Sequence, residues 1–105
     1  MTEPVVVHVV FTPAEGALDR MVEALRAGIA EVHTEPGCEL YSIHYAPDGT
    51  VVMIEKWSSA EELDTHGAGE PVARMNASLE GLLAEPPRIV RLAPIPAGTP
   101  EQGAL

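Results

Sequence analysis

A chain of 105 residues, 46% of them hydrophobic, is long enough for one globular domain with a single core and too apolar for a disordered segment. It carries 16 acidic against 6 basic residues, a net charge of −10 with no Lys/Arg cluster, which excludes partners recognised by such clusters, namely nucleic acid and an anionic membrane surface. The single cysteine, Cys38, cannot form an internal disulfide, and no secretory leader opens the chain, so a cytoplasmic protein is expected.

Val5 to Phe11 is dense in β-branched residues and predicts a strand buried on both faces, with Val6, His8 and Val10 opposite Val5, Val7, Val9 and Phe11. After Pro13 and Gly16, the apolar residues Leu18, Met21, Val22, Leu25, Ile29 and Val32 recur at spacings of three and four. That periodicity predicts an amphipathic helix from about Gly16 to His33. "EPGCE" ends it, because Pro36 cannot continue a helix and Gly37 accepts any turn geometry.

Residues 39–57 read as a β-hairpin around the turn "APDG". On its first strand Leu40, Ser42 and His44 share one face, and Tyr41, Ile43 and Tyr45 the other. Ser58 or Ser59 caps a short helix, with Glu61 or Glu62 placed to complete a capping box, and Gly67 and Gly69 interrupt it near His66. Pro71 suits a first helical position. Val72, Met75, Leu79, Leu82 and Leu83 form the next apolar stripe, which Pro86 and Pro87 stop. Arg88 to Leu92 is the fourth strand. Residues 1–94 thus form one domain, and 95–105 a Pro/Gly-rich tail or partner-clasping arm. The order β-α-β-β-α-β is the ferredoxin-like pattern of an α+β fold. Two helices cover only one face of a four-stranded sheet, so the doubly apolar first strand predicts a homodimer through the other face, with His8 towards the partner.

Chemistry-bearing residues concentrate in "TVVMIEKWSSAEELDTH". By the period of two, Met53, Glu55 and Trp57 share a strand face. A glutamate there costs several kcal/mol of desolvation unless it is paired or neutralised. Glu55 is therefore either a structural partner of an arginine or a backbone donor, or a tuned acid or base. Trp57 alone reads as core. His66 is either an exposed helix-end residue or a pocket residue. Tyr41, His44 and Tyr45 are ordinary for a hairpin, though their polar tips suit a phenolic ligand. Glu35 and Glu39 flank Cys38 and would raise a thiol pKa, which makes Cys38 structural. His8, His33, His44 and His66 lack metal-ligand spacing, and no phosphate loop or dinucleotide fingerprint is present, so neither metal nor cofactor is expected.

"EPGCELYSIHYAPDGTVVMIEKWSSAEELDTH", then "EP", an apolar helix and "PPRIVRL", resembles the antibiotic biosynthesis monooxygenase family from about Val5 to Pro94. The resemblance implies a ferredoxin-like protomer, a dimeric α/β-barrel assembly, and a cavity between sheet and helices. It also implies oxygenation of a quinol- or anthrone-like aromatic by O2 without metal or flavin. Trp57 matches the family's pocket tryptophan, and His44 a pocket histidine of its polyketide branch. Met53 stands where that branch has an asparagine, a departure that weighs against an anthrone. Haem-degrading relatives take a histidine ligand from the later helix, and Pro71 to Leu83 has none. On this reading His66 or His44 moves a proton, Glu55 orients or tunes that group, and Trp57 is an aromatic wall. Met53, Tyr41, Met75 and Phe11 would contact substrate. The competing reading is a non-enzymatic small-molecule-binding or stress-response dimer, since this fold hosts unrelated functions.

Overall fold

The computed structural model describes residues 3–105, so the expected domain start at residue 1 lies outside the described residues. The β-branched run forms β1 (Val5–Phe11), and the amphipathic stretch forms α1 (Leu18–Val32), which buries Met21, Val22, Leu25 and Val32. The hairpin is β2 (Cys38–Tyr45) and β3 (Val51–Trp57), and the chain closes with β4 (Arg88–Leu92). The segment between β3 and β4 holds two helices, α2 (Ala60–Gly67) and α3 (Glu70–Ser78). The sheet is antiparallel in the order β2-β3-β1-β4, the ferredoxin-like arrangement of an α+β fold.

Strand alternation divides the sheet into two unlike faces. Towards the helices point Val7, Val9 and Phe11 of β1, Val51, Met53, Glu55 and Trp57 of β3, and Tyr41 of β2, all buried. These pack with Met21, Val22 and Leu25 of α1, Leu63 of α2 and Met75 of α3 into one core. The opposite face carries Val6, His8, Val10, Val52 and Ile54, with Val90 50% and Leu92 44% exposed on β4. His8 lies there, paired across the strands with Ile54 and Val90.

Two local features differ from the sequence expectation. The apolar stripe beginning at Val72 is helical only to Ser78, and Gly81 takes φ +78°, a region closed to most side chains. Beyond it the backbone pairs with the segment after β1. Ala14 N–H donates to Leu82 O at 2.8 Å and Ala84 N–H to Thr12 O at 2.9 Å. Leu82 and Leu83 thus pack on the core from a turn and an isolated bridge to Pro13, which a helical reading of their spacing could not anticipate. The second difference is the capping box at α2. Ser59 accepts from Glu62 N–H, but the Glu62 carboxylate turns to the hydroxyls of Ser58 and Ser59. Among the described residues no helix is long and apolar enough to cross a membrane.

Candidate active site

A cavity of about 270 Å³ lies between the sheet and the pair α2–α3. Its floor is Val7, Val9, Phe11, Met53, Tyr41 and Glu55, and its roof includes Leu63, His66, Val72, Met75 and Asn76. Ile89 and Arg91 of β4 complete it on the side where no helix covers the sheet. Ile89 is 65% exposed, so the cavity opens over this edge strand.

His66 lines this cavity. It is buried, although it sits in the last turn of a short helix. Its ring lies 4.6 Å from that of Trp57 at an interplanar angle of 31°, and meets Tyr41 edge-on at 5.5 Å. Its Nδ1 is 2.9 Å from Glu35 Oε2. A carboxylate only accepts, so Nδ1 carries a proton and donates to Glu35; in the neutral form of the ring the lone pair is then on Nε2. Nε2 has no hydrogen-bond partner among the described residues, and no fully buried side-chain nitrogen or oxygen is left unpaired. Nε2 therefore retains open space, and the cavity supplies it.

Glu35 reaches this position because its loop is fastened to the segment that leads from β3 into α2. Ser58 N–H donates to Gly37 O at 2.9 Å. Gly37 has φ +84°, and a Cβ there would collide with the Glu62 carboxylate. Only glycine both turns the chain and admits Glu62, so "EPGCE" is a buckle as well as a helix stop.

Glu55 answers the question of its burial without an arginine or a backbone donor. The indole N–H of Trp57 donates to Glu55 Oε1 at 2.9 Å. Residues two apart on one strand face stand about 7 Å apart, a gap that these two long side chains close. Burial pushes the Glu55 carboxyl above its ordinary range, while Trp57, His66 and Arg91 pull it partly back. Burial, and then Glu55, raises the Tyr41 phenol, whose O–H points to Met75 Sδ at 3.8 Å. The Cys38 thiol is raised first by burial and then by Glu35.

The structure thus brings His66, Glu55, Tyr41, Met53, Met75 and Phe11 to one cavity. Trp57 is fully buried and does not line it; it backs the site, holding Glu55 through its N–H and His66 through its ring face. His44 does not join them. Alternation places it on the far face from Tyr41, where Nδ1 lies 3.2 Å from Val52 O and the ring is exposed. Glu35, Asn76 and Arg91 were not legible as site residues. Glu35 is separated from His66 by 31 positions, and Arg91 reaches the cavity only through the pairing of β4 with β1. Among the described residues no group of three or more His, Cys, Asp or Glu side chains could hold a metal ion.

Residues 4–78 match the antibiotic biosynthesis monooxygenase family. The chain belongs to that family. Rv0793 of Mycobacterium tuberculosis is 31% identical over 96 residues, covering 90% of this chain and 95% of its own. The structure of Rv0793 superposes with a TM-score of 0.84, covering 92% of this chain and all of the other at 28% identity. PA3566 of Pseudomonas aeruginosa gives 0.81 at 28% identity over 90% of this chain and 97% of its own. An antibiotic biosynthesis monooxygenase family structure from Caulobacter crescentus, at 20% identity, shares the fold with a TM-score of 0.82 over 90% and 92% of the two chains. Within the family match fall Glu35, Glu55, Trp57 and His66; Arg91 lies beyond it.

Proposed function

We propose that this family member is a cofactor-independent monooxygenase that oxidises a compact hydroxylated aromatic, quinol- or anthrone-like, with O2. The observation that carries the reading is the Glu35–His66 pair, which presents a free imidazole nitrogen to an apolar cavity. In this mechanism Nε2 removes the substrate hydroxyl proton, and the electron-rich anion supplies electrons to O2. A carbon–oxygen bond forms at the ring and the oxygen–oxygen bond then breaks. The substrate loses two hydrogens and gains one oxygen atom, and the second oxygen leaves as water with those hydrogens. The substrate supplies every electron, so no external reductant is needed. His66 returns the proton to the leaving oxygen. Glu55, buried and held by the Trp57 N–H, tunes the imidazole that moves the proton. The apolar floor of Val7, Val9 and Met53 keeps water from the intermediates. The volume of about 270 Å³ falls at the small end of ligand sites and favours a quinol of one or two rings over the three-ring anthrone.

The reading includes a homodimer through the outer sheet face, the dimeric α/β-barrel assembly. It is supported by Val90 and Leu92, which stay half-exposed beside Val10, Val52 and Ile54 on a face no helix of this chain covers. It also places the protein in the cytoplasm, where the lone Cys38 stays reduced.

Oxygen uptake with a panel of quinols and anthrones in metal-free buffer tests the activity. His66→Gln keeps a donor for Glu35 while removing the base, and is expected to lose about a hundredfold to ten-thousandfold in turnover. Full turnover by the folded variant would remove His66 from the mechanism. Ligand binding with no oxygen uptake by the wild type would assign the chain as a binding protein instead.

A further inference from the structure

Tyr41, Glu55, Val7 and Arg91 form one cross-strand row on the helix-facing side of the sheet, since Tyr41 pairs with Glu55, Glu55 with Val7, and Val7 with Arg91. Neighbouring strands stand about 4.8 Å apart, so the backbones of Glu55 and Arg91 are separated by about 10 Å with Val7 between them. The next row places Met53, Val9 and Ile89 alongside. The cavity floor is therefore polarised. It has a proton-handling end at Tyr41 and Glu55 beneath His66, an apolar middle, and a cationic end at the mouth.

Arg91 is the one lysine or arginine among the described residues that line the cavity. Its Nη2 donates to Asp64 on α2 at 2.7 Å. That bond ties the guanidinium across the mouth and uses one of its three nitrogens. Nε and Nη1 have no hydrogen-bond partner among the described residues. The side chain is 52% exposed and Arg91 lines the cavity at its mouth, so a ligand entering there passes the guanidinium. A guanidinium held in this way is pre-organised for a planar oxyanion. The chain as a whole has a net charge of −10, so its overall field does not draw anions in; an anionic ligand must be taken by local donors.

We propose that Arg91 makes the site selective for hydroxylated aromatic acids. The substrate's carboxylate sits on Arg91 at the mouth, its ring lies over Val7 and Val9, and its hydroxyl reaches His66. This rests on the reading of the cavity as a substrate site, and it adds the charged group the substrate must carry. The separation along the row requires that the acid and the reacting hydroxyl lie at opposite ends of the ring.

The test is anaerobic calorimetry, where no turnover occurs, with 3,4-dihydroxyphenylacetate, whose 4-hydroxyl lies opposite the acid, and its methyl ester, which differ in charge and little in shape. The wild type is expected to bind the acid at least tenfold more tightly than the ester. Arg91→Gln is expected to abolish that preference by weakening the acid, with the ester changed by less than twofold. Asp64→Asn, which leaves the guanidinium in place, is expected to keep the preference. Equal affinity of acid and ester in the wild type, or an unchanged preference in Arg91→Gln, overturns the selectivity while leaving the cavity as a ligand site. Binding of neither compound overturns the cavity reading and this inference with it.

Discussion

The two faces of β3 are made by the same seven residues and have opposite fates. On the helix side Val51, Met53, Glu55 and Trp57 are all buried, and a carboxylic acid is accepted there because an indole N–H from the same face satisfies it. On the other side Val52, Ile54 and Lys56 remain partly exposed, although two of the three are aliphatic. Burial in this strand therefore does not follow hydrophobicity. It follows where α1, α2 and α3 lie, and the one acid on the helix side is kept there by the Trp57 N–H.

The largest expected effect breaks the inner face. Trp57→Ala removes a fully buried indole, the hydrogen-bond donor to Glu55 and the platform beneath His66. A loss of about 3–5 kcal/mol is expected in urea denaturation. A loss below about 1 kcal/mol would mean that the site does not depend on this platform. Gly37→Ala comes next. A residue forced to φ +84° against Glu62 is expected to cost more than about 1 kcal/mol and to loosen Glu35 from His66. Turnover should fall in the folded fraction too, and normal activity there would deny Glu35 its positioning role.

Glu55 sharpens the contrast through pH. Its folded carboxyl titrates above its ordinary value of 4.5, so between that value and the raised one the folded state binds the extra proton. The stability this confers is fully present below 4.5 and is lost as pH rises through the folded value, by at most about 1.4 kcal/mol per pH unit for one proton. Glu55→Gln keeps an oxygen for the Trp57 N–H and removes the titration. Unfolding free energies measured from pH 4 to pH 8 should decline less steeply in the variant. Parallel profiles would show that the buried acid is not penalised as its surroundings require.

The smallest effect on the fold is expected from the outer face. Ile54→Lys places a charge on a partly exposed position, so the protomer's own stability should change by about 0.5 kcal/mol or less. Sedimentation should nevertheless show loss of association. A wild type that sediments as a folded monomer at micromolar concentration would instead leave the outer face without a partner.

Local pattern was enough for the strands, α1 and the shared face of Met53, Glu55 and Trp57, because periods of two and 3.6 are written into consecutive residues. The Ser59 cap and the turn at Gly37 were equally local. What remained closed to sequence reading was every relation that joins distant segments. The stripe from Val72 to Leu83 has helical spacing, yet its second half pairs with Thr12 and Ala14, because backbone partners are chosen across the fold. His44 and Tyr41 lie close along one strand, yet which of their two faces meets the cavity was decided by where the helices lie. The pairing of His66 with Glu35 needs the loop at Gly37 fastened beside α2, and Arg91 shares a cross-strand row with Glu55 only because β1 stands between β3 and β4. Periodicity determined which residues travel together. Packing alone decided which of those groups meet, because the free energy of burying Trp57 and Glu55 of β3 against His66 of α2 exists only when both elements are in place.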